Sequence, residues 1–480
     1  MGKFDIRKSF KQKKFKYGGY ATLLTAVVLA IVLVLNLVVD QLDLKLDLTK
    51  EKLYSLSEQT NTILKDLKSD IKIISLNEAG NENAGVKEIL NKYTSGSNKV
   101  KLETVDPEKH PEVVTKYTKD TGSVNPGSIV VESGSKFKVI DSYDLYNYST
   151  DYQTGQQSVQ SLAVEQKVTA AIMYVTSDKN PVVYNLQGHS EAEVPSALSS
   201  SMGNENYTVQ SLNLLSGEWK PAAGDILLIN SPQRDISADE LKKIKDYLSK
   251  GGRALIFFDL LKTDLPNMQD LFKSYGVNVS RSLVLEGDTN YTIQGNPYYL
   301  IPNMGSHDIL SPLTTAKVPV LTYAAQPIIQ EKIKKDSVKI EALLTTSAKA
   351  YAKSNLEAKT IEKEAGDAAG PFNLAVAITD ELDYNDTTKN PRIVLLSSSA
   401  LLNEQLVSMS NGGNTDLIMN SMNWLVDRKE NISIRAKDLS AETLTMTAAQ
   451  QLTVAGIAVI LIPLAIAICG VIVWLRRRHL

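Results

Sequence analysis

The sequence predicts an α/β protein in which two apolar helices, one near each end, flank a large polar body. Residues 17–39 and 452–475 each run without a charged side chain, and about 20 apolar residues at 1.5 Å each suffice to cross a bilayer. Between them, short continuous apolar runs alternate with capped, amphipathic stretches. That alternation is the pattern of a parallel sheet covered on both faces.

Charge around the two runs predicts their orientation. Seven basic residues lie between Lys3 and Lys16, and the first charges after residue 39 are Asp40 and Asp43. The second run is followed by Arg476, Arg477, Arg478 and His479. Basic flanks stay in the cytoplasm, so residues 1–16 and 476–480 are expected there. Residues 40–451 are then displayed as an extracellular or periplasmic ectodomain of a two-pass cell-membrane protein. The first run exceeds the about 7–15 apolar residues of a secretory leader and ends without a small-x-small site, so it reads as an uncleaved anchor. Pro463 would kink the second helix, a cost that neighbouring groups offset inside a membrane.

Composition excludes several kinds of chemistry. The chain carries 52 basic and 54 acidic residues for a net charge of −2, but the basic tails conceal a body near −11. No Lys/Arg cluster in that body suits nucleic acid. The single cysteine, Cys469, falls in the second apolar run, so the body has neither a disulfide nor a thiolate nucleophile. His110, His189 and His307 stand far apart, without zinc-ligand spacing. Neither a G-x-x-x-x-G-K-[ST] loop nor a G-x-S-x-G elbow is present. No cofactor or metal is expected, and transport energy would come from another subunit.

The first domain is expected over residues 40–158. Ser55 or Ser57 can cap a helix whose Thr60, Ile63, Leu64 and Leu67 share a face. Strands follow at 71–76 and 100–106, with a helix near 86–93 between them. Pro111 opens another helix, and 128–131 pairs with 137–140 across Gly134. This β-α-β-α-β-β order is a thioredoxin-type layout without a Cys-x-x-Cys, hence a scaffold. Residues 141–160 hold Tyr143, Tyr146, Tyr148 and Tyr152 and read as an exposed connection or a binding loop.

A second domain is expected over 159–436, followed by a linker at 437–451. It opens with a helix at 159–175. Strands at 181–186, 207–212, 224–229 and 254–258 alternate with helices at 194–202 and from Ser237. Ser237-Ala-Asp-Glu240 is a capping box, and Gly251-Gly252 ends that helix. Later strands are expected at 338–344, 372–380 and 392–396, with a mobile polar loop between the first two. A helix at 414–427 buries Leu417, Ile418, Met422 and Leu425.

Five patches together resemble the substrate-side auxiliary membrane proteins of the gliding-motility (Gld-type) ABC-transporter family. They are Leu46-Asp-Leu-Thr-Lys-Glu-Lys-Leu-Tyr-Ser-Leu-Ser57, Glu165-Gln-Lys-Val-Thr-Ala170-Ala-Ile and Val183-Tyr-Asn-Leu-Gln-Gly-His-Ser-Glu191. The Ala325-Gln-Pro-Ile segment and Asn420-Ser-Met-Asn-Trp-Leu425 complete the set. The resemblance implies a non-catalytic partner of separate ATPase and permease subunits. It also implies a glutamine-amidotransferase-like second domain, related to that of intraflagellar-transport proteins. It does not imply gliding.

Parallel α/β sheets take ligands beyond their strand carboxyl ends. The candidate binding residues there are His189, Ser190 and Glu191 after the first strand, Asn230 and Ser231 after the third, and Asp259 after the fourth. They could hold a glycan or peptide, as in a stand-alone receptor, or simply cap helices. No catalytic residue is assigned, because amidotransferase chemistry needs a cysteine paired with histidine.

Overall fold

A computed structural model describes residues 52–428 and 434–439, apart from 79, 122–123, 151–154, 178–179, 217–218, 359 and 384. It also describes Asp47, Thr49 and some helical residues within 20–37 and 463–475. Among the described residues no helix is long and apolar enough to cross a membrane. The longest described helical piece of the first apolar run is 23–34, about 18 Å against a hydrocarbon core of about 30 Å. This overturns the expected pair of transmembrane helices and, with them, the two-pass cell-membrane placement. The remainder of both runs lies outside the described residues.

The chain divides into two units, Met1–Leu145 with Ala163–Lys437, and Tyr146–Leu162 with Asp438–Leu480. The first unit contains two principal sheets. Strands β1 (Ile71–Leu76), β2 (Val100–Val105), β3 (Ile129–Ser133) and β4 (Lys136–Ile140) assemble in the order β2-β1-β3-β4. β1 pairs with β2 in parallel and with β3 antiparallel, and β3 with β4 antiparallel. Helix Ala84–Gly96 buries Val86, Ile89, Leu90 and Tyr93, and the Asn83 side chain caps its first turn. Helix Val164–Thr176 packs on β3 and β4.

The second unit is the smaller. Strands β5 (Tyr146–Thr150) and β6 (Gln157–Leu162) form an antiparallel hairpin, and the Leu439 N–H donates to the Gln160 carbonyl at 2.9 Å. The tyrosine-rich stretch is therefore largely sheet, and the helix expected from residue 159 starts only at Val164. Tyr152 lies outside the described residues.

Strands β7 (Val182–Leu186), β8 (Thr208–Leu212), β9 (Ile226–Asn230) and β10 (Arg253–Phe257) build the second sheet with Arg392–Leu396. These five run parallel in the order β8-β7-β9-β10-(392–396). The expected all-parallel sheet is mixed, however. Asn373–Asp380 pairs antiparallel with Arg392–Leu396, and Val338–Thr345 and Ile328–Gln330 pair antiparallel with it in turn. Every residue of β9 and β10 is buried. Leu228, Leu255 and Phe257 face one core with Met202, Leu417 and Met422, while Leu227, Ile229 and Ile256 face another with Leu241, Ile244 and Phe272.

The polar insert at 346–371 is ordered rather than loose. Strands Tyr351–Lys353 and Ala368–Ala369 pair across it, and the buried Lys353 ammonium meets Glu364 at 3.4 Å and Asp367 at 3.7 Å.

One buried carboxylate joins distant parts of the first unit. Glu165 Oε1 accepts from the Ser57 N–H at 2.6 Å and the Thr60 hydroxyl at 2.7 Å. Its Oε2 lies 2.8 Å from the Lys437 ammonium, which also donates to the Lys52 carbonyl at 2.8 Å. The Tyr93 hydroxyl donates to the Glu165 backbone carbonyl at 3.0 Å. Burial works against the Glu165 charge, but the bonds from Lys437 and Ser57 prevail and hold its pKa below the ordinary glutamate value. A depressed carboxylate pKa stabilises the fold above the unfolded-state value, and that contribution is lost as pH falls through the folded-state value. Glu165→Ala should cost about 3 kcal/mol by urea unfolding at pH 7, because Lys437 is left as an unpaired charge. Glu165→Gln should flatten the loss of stability below about pH 5.

Candidate functional site

The carboxyl ends of β7, β9 and β10 bring most of the expected residues together. The turn after β7 folds back on itself: Glu191 Oε2 accepts from the N–H groups of Gly188 at 3.1 Å and His189 at 2.9 Å. The His189 carbonyl accepts from the N–H groups of Gln233 and Arg234 at 2.9 and 3.0 Å, which ties this turn to the one after β9. Asn230 strengthens the tie. Its Nδ2 donates to the carbonyls of Ala192 at 2.9 Å and Glu193 at 3.2 Å.

His189 is the centre of the arrangement. Its Nδ1 lies 3.0 Å from Glu191 Oε1 and its Nε2 lies 3.2 Å from Glu240 Oε2. The ring is 7 % exposed and both carboxylates only 1 %. Each ring nitrogen thus has a carboxylate oxygen as its neighbour. Glu240 has a second duty as the third helical residue of Ala238–Leu248. Its Oε2 accepts from the Ser237 N–H and hydroxyl, each at 2.8 Å, in the expected capping box. Burial raises the Glu240 pKa, but the Ser237 bonds and the facing His189 outweigh it and leave the group below its ordinary value.

The remaining candidates have other partners. Ser190 and Ser231 both adopt left-handed backbone, at φ 58° and 50°, a conformation that costs a non-glycine residue about 1 kcal/mol or more. Ser231 is fully buried, and its N–H donates to the Phe257 carbonyl at 2.9 Å. Asp259 stands at the same edge but accepts from the N–H and hydroxyl of Ser399. Asn230 Oδ1 and Glu240 Oε1 are buried without a hydrogen bond among the described residues. His110 and His307 do not join the site: His110 pairs with Glu112, and His307 packs edge-on against Trp424 with ring centroids 5.2 Å apart. Among the described residues no group of three His, Cys, Asp or Glu side chains is arranged to hold a metal ion.

This edge can orient and hold, and its histidine has both nitrogens committed to carboxylates. A family model described as an ABC-type uncharacterized transport system matches residues 180–421, half of the 480-residue chain. The chain belongs to this family. A separate model, a domain of unknown function, matches residues 50–145. No curated protein matches the chain. Among solved structures, the mmIFT52 N-terminal domain is 13 % identical with a TM-score of 0.36, over 51 % of this chain and 97 % of that one. The NTD_N/C domain of the alkylhydroperoxide reductase AhpF from Enterococcus faecalis is 12 % identical with a TM-score of 0.19, over 33 % and 78 %. Scores this low carry no weight for fold or function.

Within the ABC-type family segment, Glu240 is the site residue that sequence reasoning left out. The capping box that contains it was legible, but its contact with His189, 51 residues earlier, was not. His189→Ala should leave the buried Glu191 and Glu240 carboxylates without their imidazole hydrogen-bond partner and cost about 3 kcal/mol of stability. Adding Glu191→Gln should recover part of that loss, and urea unfolding of the single and double variants checks both.

Proposed function

We propose that this chain is a non-catalytic auxiliary subunit of an ABC-type transport system, in which its α/β body engages separate ATPase and permease subunits or the cargo they move. The family match over residues 180–421 carries the reading. Two features of the chain support it. It has no P-loop to hydrolyse ATP, and the most acid/base-like group in the sheet, His189, is held between two carboxylates as a structural tie. Within that role we place it with the gliding-type substrate-side components, on the five patches quoted above.

Affinity purification of the tagged chain from its native cells in mild detergent tests the proposal. An ATPase with a Walker motif and a polytopic permease should co-purify in fixed proportion. Recovery of the chain without either would overturn the reading.

A second reading, a receptor for a glycan or peptide at the carboxyl edge, is favoured by Asn230 Oδ1 and Glu240 Oε1, which have no hydrogen bond among the described residues. Both acceptors could take a hydroxyl or amide donor once the turn at 187–193 opens. In that case Asn230→Ala would abolish ligand binding without disturbing co-purification.

A further inference from the structure

We propose that the amino edge of the second sheet, opposite the residues just described, binds an anionic saccharide: a sugar ring carrying a phosphate or carboxylate. This site is independent of the transporter-subunit reading. A cavity of about 890 Å³ opens where the chain enters β9, β10 and Arg392–Leu396, bounded by Gly224, Gly251-Gly252 and Lys389. Ligand pockets commonly span about 300–1,000 Å³, so a mono- or disaccharide fits.

The lining is positive. Lys220, Lys243, Lys250 and Lys389 border the cavity against a single carboxylate, Asp246. Asp246 already faces Lys242 at 3.1 Å, and Lys389 is shared with Asp386 at 3.2 Å and Asp383 at 3.7 Å. Counting these neighbours and the buried Asp225, whose charge reaches Tyr184 and Tyr247, five lysines stand against four aspartates in a body that is otherwise acidic. A local excess of one sign on a concave wall concentrates ligands of the other.

The lining is also aromatic and rich in donors. Trp219 and Tyr247 pack with ring centroids 4.5 Å apart, and Tyr184 meets Trp219 edge-on at 6.1 Å. Tyr247 cannot swing away, because its hydroxyl donates to the Asp225 carbonyl at 2.6 Å and accepts from the Arg253 N–H at 3.0 Å. The Trp219 indole N–H is itself shielded from solvent and has no acceptor among the described residues. Lysine ammonium groups donate only. Their complement is a ligand rich in acceptors, negatively charged and bearing an apolar ring face, which a charged sugar supplies.

The backbone fixes this wall. Gly251 has φ +86°, and a Cβ there would lie 2.8 Å from the Lys389 carbonyl oxygen. Only glycine lets the two segments approach so closely, and that approach sets Lys389 beside the aromatic pair.

Tryptophan fluorescence and calorimetric titration of the full chain test the proposal with glucose 6-phosphate and galacturonate as probes, and glucose and inorganic phosphate as controls. Saturable binding of both charged sugars is expected with Kd below about 10 mM, at least tenfold tighter than either control. Lys243→Ala/Lys250→Ala alters two exposed side chains, of which Lys243 also donates to the Leu214 carbonyl, and should weaken binding at least fivefold while the chain stays folded by its melting curve. Trp219→Phe should remove the fluorescence response. Should Trp219→Phe fail to fold, calorimetry on the lysine pair decides. Absence of saturation, equal binding of glucose or of inorganic phosphate, or unchanged affinity in the lysine variant would each overturn the site.

Discussion

Strands β9 and β10 are buried at every position, and that one constraint shapes the second sheet. A strand with no solvent face needs apolar cover on both sides, so the sheet separates two cores rather than closing one. Alternate residues divide the work: Leu228 and Leu227, adjacent in sequence, belong to opposite cores. Burying a leucine or isoleucine contributes about 1.5–3 kcal/mol, so the pattern specifies register strongly. A one-residue slip would exchange the two cores. With both faces covered, only the two edges of the sheet remain for polar chemistry.

Those edges differ in kind. At the carboxyl edge, the polar groups that follow β7, β9 and β10 bind one another: Glu191 takes backbone donors, Asn230 holds two carbonyls, and His189 spans two carboxylates. Such a network stabilises when complete and is costly when broken, which suits a framework. At the amino edge the charges are unevenly matched, and a buried indole donor stands without an acceptor among the described residues. The general rule for parallel α/β sheets directs attention to the carboxyl edge. Here the excess of lysines over carboxylates lies at the other one.

Much of this was legible in the sequence, and the failures have physical causes. The strands β7 to β10 and the Ser237–Glu240 capping box were readable because apolar runs and cap residues act locally. The His189–Glu240 contact was not, since nothing in a capping box says which side chain will face it from another turn. The antiparallel arm built from Asn373–Asp380 and Val338–Thr345 escaped because apolar runs carry no sign of strand direction. The insert at 346–371 read as loose because its order rests on Lys353 meeting acids more than ten residues away in sequence. Gly251 was legible as a helix stop, but its second role as the point of closest approach to Lys389 needs the fold. Apolar length misled as well. An uncharged run shows what a helix could cross, whereas the longest described helical piece of the first run covers only 23–34.

The Glu165 carboxylate adds a constraint of a different order, because its partners come from the beginning and the end of the first unit. Ser57 and Thr60 approach from one side and Lys437 from the other, and Lys437 also bonds to the carbonyl of Lys52, 385 residues away. A paired buried charge adds little net stability, whereas one left without its partner is costly. The contact therefore discriminates more than it stabilises: its cost is offset only when both chain segments are seated on helix Val164–Thr176. An apolar residue at 165 would fill the space but accept an unseated segment at little penalty. Glu165 makes the docking of residues 52–60 and of Lys437 conditional on each other.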